Sequence, residues 1–122
     1  MERTFTLLGT LFALTGVALG AFGAHGLRGS VTDADLAVFE TGVRYQMYHA
    51  LALFAVAWMH TRGASGAVAV GGWLLVAGMV VFSGSLYLLV FTGQRWLGAV
   101  TPLGGLSLLA GWALLAWGAW KG

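Results

Sequence analysis

Cysteine is missing from the 122-residue sequence, proline occurs once, and charged residues make up only 8% of it. Without thiols there can be no disulfides, thiolate metal sites, iron–sulfur ligands or cysteine nucleophiles, and the redox compartment is left unmarked. The six Lys and Arg residues are scattered. The formal charge of +2 and pI of about 9.5 therefore contain no basic run able to follow a phosphate backbone, which argues against a nucleic-acid partner.

What the chain does contain is apolar surface and glycine: 59% hydrophobic residues, 20 glycines and a mean hydropathy of +0.86. In water so short a chain would leave much of its apolar surface exposed, whereas in lipid no large central core is needed. The composition therefore specifies an integral membrane protein forming one compact unit. Arg3, followed by an apolar run ending in Gly20-Ala21-Phe22-Gly23-Ala24, has the outline of a signal peptide. The run is too long for a typical signal core and is read as a first membrane span.

Four stretches can each cross a hydrocarbon core about 30 Å thick, which takes roughly 20 helical residues: 4–25, 41–60, 68–91 and 98–120. The predicted fold is all-α, a polytopic membrane protein in which four transmembrane helices form one antiparallel bundle over residues 1–122. The even count puts both termini on the same side. The turns near 61–66 and 92–95 are short, as antiparallel neighbours require. Thr32 followed by Asp35 is an approximate capping pattern, so the second helix is predicted to begin near Asp33, outside the lipid, and to run unbroken to His60. Trp96 and Trp120 fall at predicted helix ends, where indoles prefer to sit; Trp73, Trp112 and Trp117 lie deeper, as lipid-facing or packing residues.

Small residues recur every seven positions on three helices: Gly9, Gly16 and Gly23; Gly71, Gly78 and Ser85; Gly104, Gly111 and Gly118. Lipid gives helices no hydrophobic reason to associate, so association depends on close approach, which a small-residue stripe permits. The seven-residue period favours left-handed, near-antiparallel crossing. These stripes are expected to face other helices, and they also offer surface for a homo-oligomer or a membrane-protein partner.

Polarity inside the membrane is concentrated in one half. The second helix carries Glu40, Arg44, Tyr45, Gln46, Tyr48 and His49 before an apolar second half; antiparallel threading brings His25, Ser83, Ser85, Tyr87 and Thr101 to the same side. The other half offers little beyond Thr6, Thr15, His60 and Ser107. Ionisable groups in hydrocarbon are costly and must face partners or a wet pocket, which makes them candidate functional residues. Arg44 is expected either to reach the headgroups or to pair with Glu40. His49 is expected to be neutral and bonded to Ser83, Ser85 or Thr101.

Four blocks carry a family resemblance: Gly20-Ala21-Phe22-Gly23-Ala24-His25-Gly26-Leu27, Tyr45-Gln46-Met47-Tyr48-His49-Ala50-Leu51-Ala52, Phe82-Ser83-Gly84-Ser85-Leu86-Tyr87, and Thr101-Pro102-Leu103-Gly104-Gly105 with Ala110-Gly111-Trp112. In this order, over nearly the whole chain, they resemble the domain of unknown function 423 family, the YgdD-like small membrane proteins. The resemblance implies a four-helix bacterial inner-membrane protein, related to small mitochondrial-type membrane proteins of eukaryotes, and it implies no particular activity.

Two functional readings stand. In one, Arg44, Tyr45, Tyr48, His49, Ser83, Ser85, Tyr87, Thr101, His25 and Glu40 form a polar pocket in one leaflet for a lipid or another small ligand. In the other, these groups satisfy one another and fix helix register in a structural or accessory subunit. A Ser–His enzyme finds little support: neither serine lies in a nucleophile elbow, and Glu40 stands about 13 Å along the helix from His49. No catalytic residue, metal or cofactor is assigned, since the histidine spacings match no ligand pattern. The localisation expected is the inner (plasma) membrane. Arg3, Arg62 and Lys121 on the terminal side balance Arg28, Arg44 and Arg95 on the other; discounting Arg44 as embedded places both termini in the cytoplasm.

Overall fold

The computed structural model describes residues Met1–Gly122 and contains four long helices: α1 (Glu2–Phe22), α2 (Asp33–Thr61), α3 (Gly66–Thr92) and α4 (Thr101–Lys121). A π-helical turn, Gly23–Leu27, extends α1, and a 3-10 turn, Arg95–Ala99, precedes α4. α1, α3 and α4, with these extensions, are long and apolar enough to cross a membrane. α2 has the length, but its polar first half keeps it below the same standard of apolarity. Within that half Gln46 and His49 are buried, while Glu40, Arg44, Tyr45 and Tyr48 are exposed.

Local chemistry explains the ends. The Thr32 hydroxyl accepts the Asp35 amide N–H at 3.1 Å, an N-cap that fixes the start of α2, with Asp33 and Asp35 in its first turn facing the positive end of the helix dipole. α2 then runs unbroken through Glu40 and His49, as the capping pattern predicts. α3 stops at Gly93, whose φ of 71° is left-handed backbone that favours glycine, and whose N–H caps the Leu89 carbonyl. α4 begins regular α-helix only at Thr101. Pro102 has no N–H to donate back to Gly98, so the chain enters α4 through the tighter 3-10 turn instead.

The helices pack in chain order, α1 on α2, α2 on α3 and α3 on α4, while α1 and α4 share no packed interface. All three small-residue stripes are buried between helices. Gly9, Gly16 and Gly23 receive Ala50, Met47 and Phe39 of α2. Gly71 lies against Gly111, and Gly78 against Gly104: a Cβ on any of these four would stand 2.9 Å from the carbonyl oxygen of its opposite number. Seven residues down α3 match seven up α4, so the period read from sequence is the register of a backbone-to-backbone contact.

Two apolar clusters stack along the bundle. Phe5, Leu53, Val56, Leu75, Met79 and Leu108 belong to the cluster on the side of the termini. Leu27, Leu36, Phe39, Leu89 and Leu97 belong to the one near the first and third loops. Between them lies a polar layer containing Gln46, His49, Ser83 and Ser85, all buried. Outside the expected spans, Arg95 makes a bidentate ion pair with Asp35, at 2.9 and 3.2 Å, tying the third loop to the start of α2.

Candidate functional site

The polar residues on one side of the chain do not form a single pocket. Gln46 is the centre of the first group: its amide donates to the Phe12 carbonyl at 2.9 Å and the Thr15 hydroxyl at 2.8 Å, and its oxygen accepts the Tyr87 hydroxyl at 2.7 Å. One side chain thereby joins α1, α2 and α3. Ser83 donates to the Gly42 carbonyl at 2.6 Å, a second α3–α2 bond. The Ser85 and Thr101 hydroxyls lie 2.6 Å apart and join α3 to α4. Ser107 adds another α4–α3 link to the Leu74 carbonyl at 2.8 Å. Ser83, Ser85, Tyr87 and Thr101 are thus committed to holding helices together.

His49 corrects the expectation that it would bond Ser83, Ser85 or Thr101. Its Nδ1 lies 2.6 Å from the Tyr45 carbonyl, one turn back on α2, and its Nε2 accepts the Trp112 indole N–H of α4 at 3.1 Å. With Nε2 accepting, the proton sits on Nδ1 and the ring is neutral, since an imidazolium has no acceptor to offer. The serines are unavailable because they have turned to the backbone and to Thr101. Trp112 is 45% exposed, and its N–H is the point where α4 meets α2 across the face of α3.

The other candidates lie outside the polar layer. His25, Glu40 and Arg44 are exposed, Tyr48 is 56% exposed and Tyr45 38%. The expected alternative in which Arg44 pairs with Glu40 is not realised: the bundle's one ion pair is Asp35–Arg95. Arg44 is instead exposed on the side of α2 that faces Gly20 and Gly23. Tyr45 packs on Phe82 with ring centroids 4.5 Å apart. His60 is separate from all of these, bonded to the Val56 carbonyl at 2.9 Å and stacked on Phe5.

Because α2 and α4 do not meet along their length, a groove floored by α3 opens between them. It has a volume of about 590 Å³ and is lined by residues including Tyr45, His49, Phe82, Pro102, Leu109 and Trp112. A smaller notch of about 230 Å³ lies between α1 and α2, lined by Gly20, Gly23, Phe39, Glu40, Val43 and Arg44.

Sequence reasoning passed over Gln46, Trp112 and Thr15 as site residues. A signal for Gln46 existed: an amide on the lipid-embedded part of a helix must find partners, and it lies about 100° round the helix from Tyr45, on a different face. Thr15 falls by sequence position in the half poor in polar groups, yet it stands level with Gln46. Trp112 carried no signal of its own, since most deep indoles simply pack.

The hydrogen bonds from Arg95 hold the Asp35 carboxyl below the usual aspartate value, aided by the guanidinium charge and opposed by partial burial. A depressed carboxylate contributes stability above its unfolded pKa, about 3.9, and loses that contribution as pH falls through its folded value. Asp35→Asn is expected to remove this acid dependence. Melting curves between pH 6 and pH 3 in detergent check it: an unchanged pH slope in the variant would show that other carboxylates carry the effect.

The fold and its polar layer define a small polytopic α-helical membrane protein whose buried polar layer is spent on hydrogen bonds between helices. Residues 19–105 match the family model described as Protein of unknown function (DUF423), and the chain belongs to that family. It is 50% identical over 114 residues to the UPF0382 membrane protein YwdK of Bacillus subtilis, covering 93% of each chain. It is 46% identical to a UPF0382 membrane protein of Staphylococcus haemolyticus, covering 93% of this chain and 92% of that one. A UPF0382 membrane protein of Staphylococcus saprophyticus is 43% identical over 98% of both. No solved structure matches the chain.

Proposed function

We propose that this membrane protein binds a lipid or lipid-like ligand, holding an acyl or isoprenoid chain in the groove between α2 and α4. The observation that carries the reading is the groove itself, about 590 Å³, within the roughly 300–1,000 Å³ typical of small-molecule sites. It follows one face of α4 from Pro102 to Trp112, about 15 Å of helix, or half a hydrocarbon core about 30 Å thick. The ligand-contacting residues in this reading are Tyr45 and His49, with Trp112 added; Ser83, Ser85, Tyr87 and Thr101 position the walls.

Gly105→Leu tests it. A Cβ at Gly105 would meet only Phe82, at 4.0 Å, an ordinary contact, so the backbone accepts the change while the longer side chain fills the groove. Native mass spectrometry of the purified protein is expected to show lipid retention at this one site weakened about tenfold, with the melting temperature not lowered. Equal lipid retention by variant and wild type would sink the groove as a site.

The structural or accessory reading is favoured by one specific observation, the consumption of Ser83, Ser85, Gln46 and Tyr87 in interhelical bonds. The two readings are compatible, because a rigid frame is what a preformed groove needs.

The same proposal places the spans at about 4–25, 41–60, 68–91 and 98–120, in an inner (plasma) membrane with cytoplasmic termini. Support comes from Arg95, which the Asp35 pair ties down, leaving Arg3, Arg62 and Lys121 as the freer cations on the terminal side. Arg62 and Lys121 lie over the Trp58 and Trp117 rings, at 5.2 and 5.8 Å, as expected at a membrane–water interface. Labelling of single cysteines introduced at Ser30 and Gly63 by an impermeant maleimide would reverse the orientation if only the Gly63 site reacted in intact cells. Self-association would use an exposed apolar face, such as that of α1 with Leu7, Leu11, Leu14 and Val17 or that of α4 with Leu103, Leu106 and Leu109, because the small-residue stripes are already occupied within the chain.

A further inference from the structure

The notch between α1 and α2 offers a second kind of recognition, independent of the groove on the other side of α2. Gly20 and Gly23 have no side chains, so Val43 and Phe39 of α2 pack directly against them, and these four residues form its apolar base. Glu40 and Arg44 line the same notch. Both are exposed, and no salt bridge joins them although they are one helical turn apart. Two opposite charges thus stand next to one small cavity, at the level where α2 passes from the interface into the expected span.

Their vertical order matters. With the second span at 41–60, as proposed above, Arg44 lies deeper and Glu40 about 6 Å nearer the water. A phospholipid with an amino headgroup carries its charges in the same order, the phosphate next to the glycerol and the ammonium beyond it. Arg44 can donate to phosphate oxygens in a fork and cannot lose its proton. Glu40 is an acceptor for the ammonium N–H groups. An anionic lipid would satisfy Arg44 and meet repulsion at Glu40. A carboxylate one turn from an arginine therefore selects as well as binds.

We infer that the Gly20–Gly23 notch with Glu40 and Arg44 is a headgroup site for a zwitterionic aminophospholipid. The site discriminates by charge, and the apolar groove on the far side of α2 plays no part in that discrimination.

Full-length protein stripped of lipid in detergent and titrated with dioleoyl phosphatidylethanolamine or dioleoyl phosphatidylglycerol, with bound lipid counted by native mass spectrometry, tests the inference. The wild type should retain the ethanolamine lipid about fivefold better than the glycerol lipid. Glu40→Gln should remove that preference, and Arg44→Gln should weaken both lipids about tenfold. Both side chains are exposed, so melting should be unchanged in each variant. Should either variant fail to fold, the wild type with N-acetylated phosphatidylethanolamine decides, because that lipid keeps its phosphate and loses its cation; it should bind like the glycerol lipid. Equal retention of the two lipids by the wild type, no retention of either, or a preference that persists in Glu40→Gln overturns the site. Failure of the groove reads out differently: Gly105→Leu should leave the headgroup preference intact whether or not the groove holds a chain.

Discussion

Gly104→Ala is expected to destabilise the protein by about 3 kcal/mol, lowering the melting temperature in detergent by roughly 10 °C. The added methyl would stand 2.5 Å from the Phe82 amide nitrogen, 2.8 Å from the Phe82 Cα and 2.9 Å from the Gly78 carbonyl oxygen. All three are backbone atoms, so no rotamer change can clear the space; α3 and α4 must separate. Separation would also disturb the Gly71–Gly111 contact in the same seam and the Ser85–Thr101 bond nearby. Gly84→Ala is the matched control, because a Cβ there meets nothing within 4 Å. It should be neutral or stabilising by up to about 1 kcal/mol, from helix propensity alone. If both variants melt with the wild type, the close α3–α4 approach does not exist in the membrane protein.

The second large effect is expected at Gln46. Gln46→Leu leaves the Tyr87 hydroxyl without its acceptor and removes the amide bonds to Phe12 and Thr15 in a layer sheltered from water. A buried polar group left unpaired costs about 1–3 kcal/mol, while single interhelical bonds in membrane proteins average nearer 0.6 kcal/mol. A total of about 2 kcal/mol follows, visible as a lower melting temperature. Tyr87→Phe should cost about 1 kcal/mol, since it frees one of the Gln46 oxygen's acceptor positions. Combined, the two changes should cost less than their sum by about 1 kcal/mol, because each removes the other's orphan. Additive losses would show that the Tyr87–Gln46 bond contributes nothing.

These two residues also mark how far the sequence could be read. Gly104 was legible as a packing position because it belongs to a stripe, and a stripe is a property of one helix. Gln46 was visible as polar, but the residues that would satisfy it were not. His49 shows the same limit: helix order points to hydroxyls on α3 and at the start of α4, and the bond goes to Trp112, 63 residues away. Arg44 and Glu40 are spaced for an i, i+4 pair, yet they remain apart beside a notch that exists only because Gly20 and Gly23 of another helix stand there.

The sequence by itself determined the solvent, the helical class, the N-cap at Thr32, the long unbroken α2 and the faces that pack, because each follows from composition or from the 3.6- and seven-residue periods of a single segment. Tertiary structure alone decided which polar groups meet, why they split into a bonded layer and an exposed set, and where the groove and the notch open. Those outcomes depend on the rotation and axial offset of one helix against another. A turn's slip changes every cross-helix hydrogen bond while leaving each helix's own periodicity as it was.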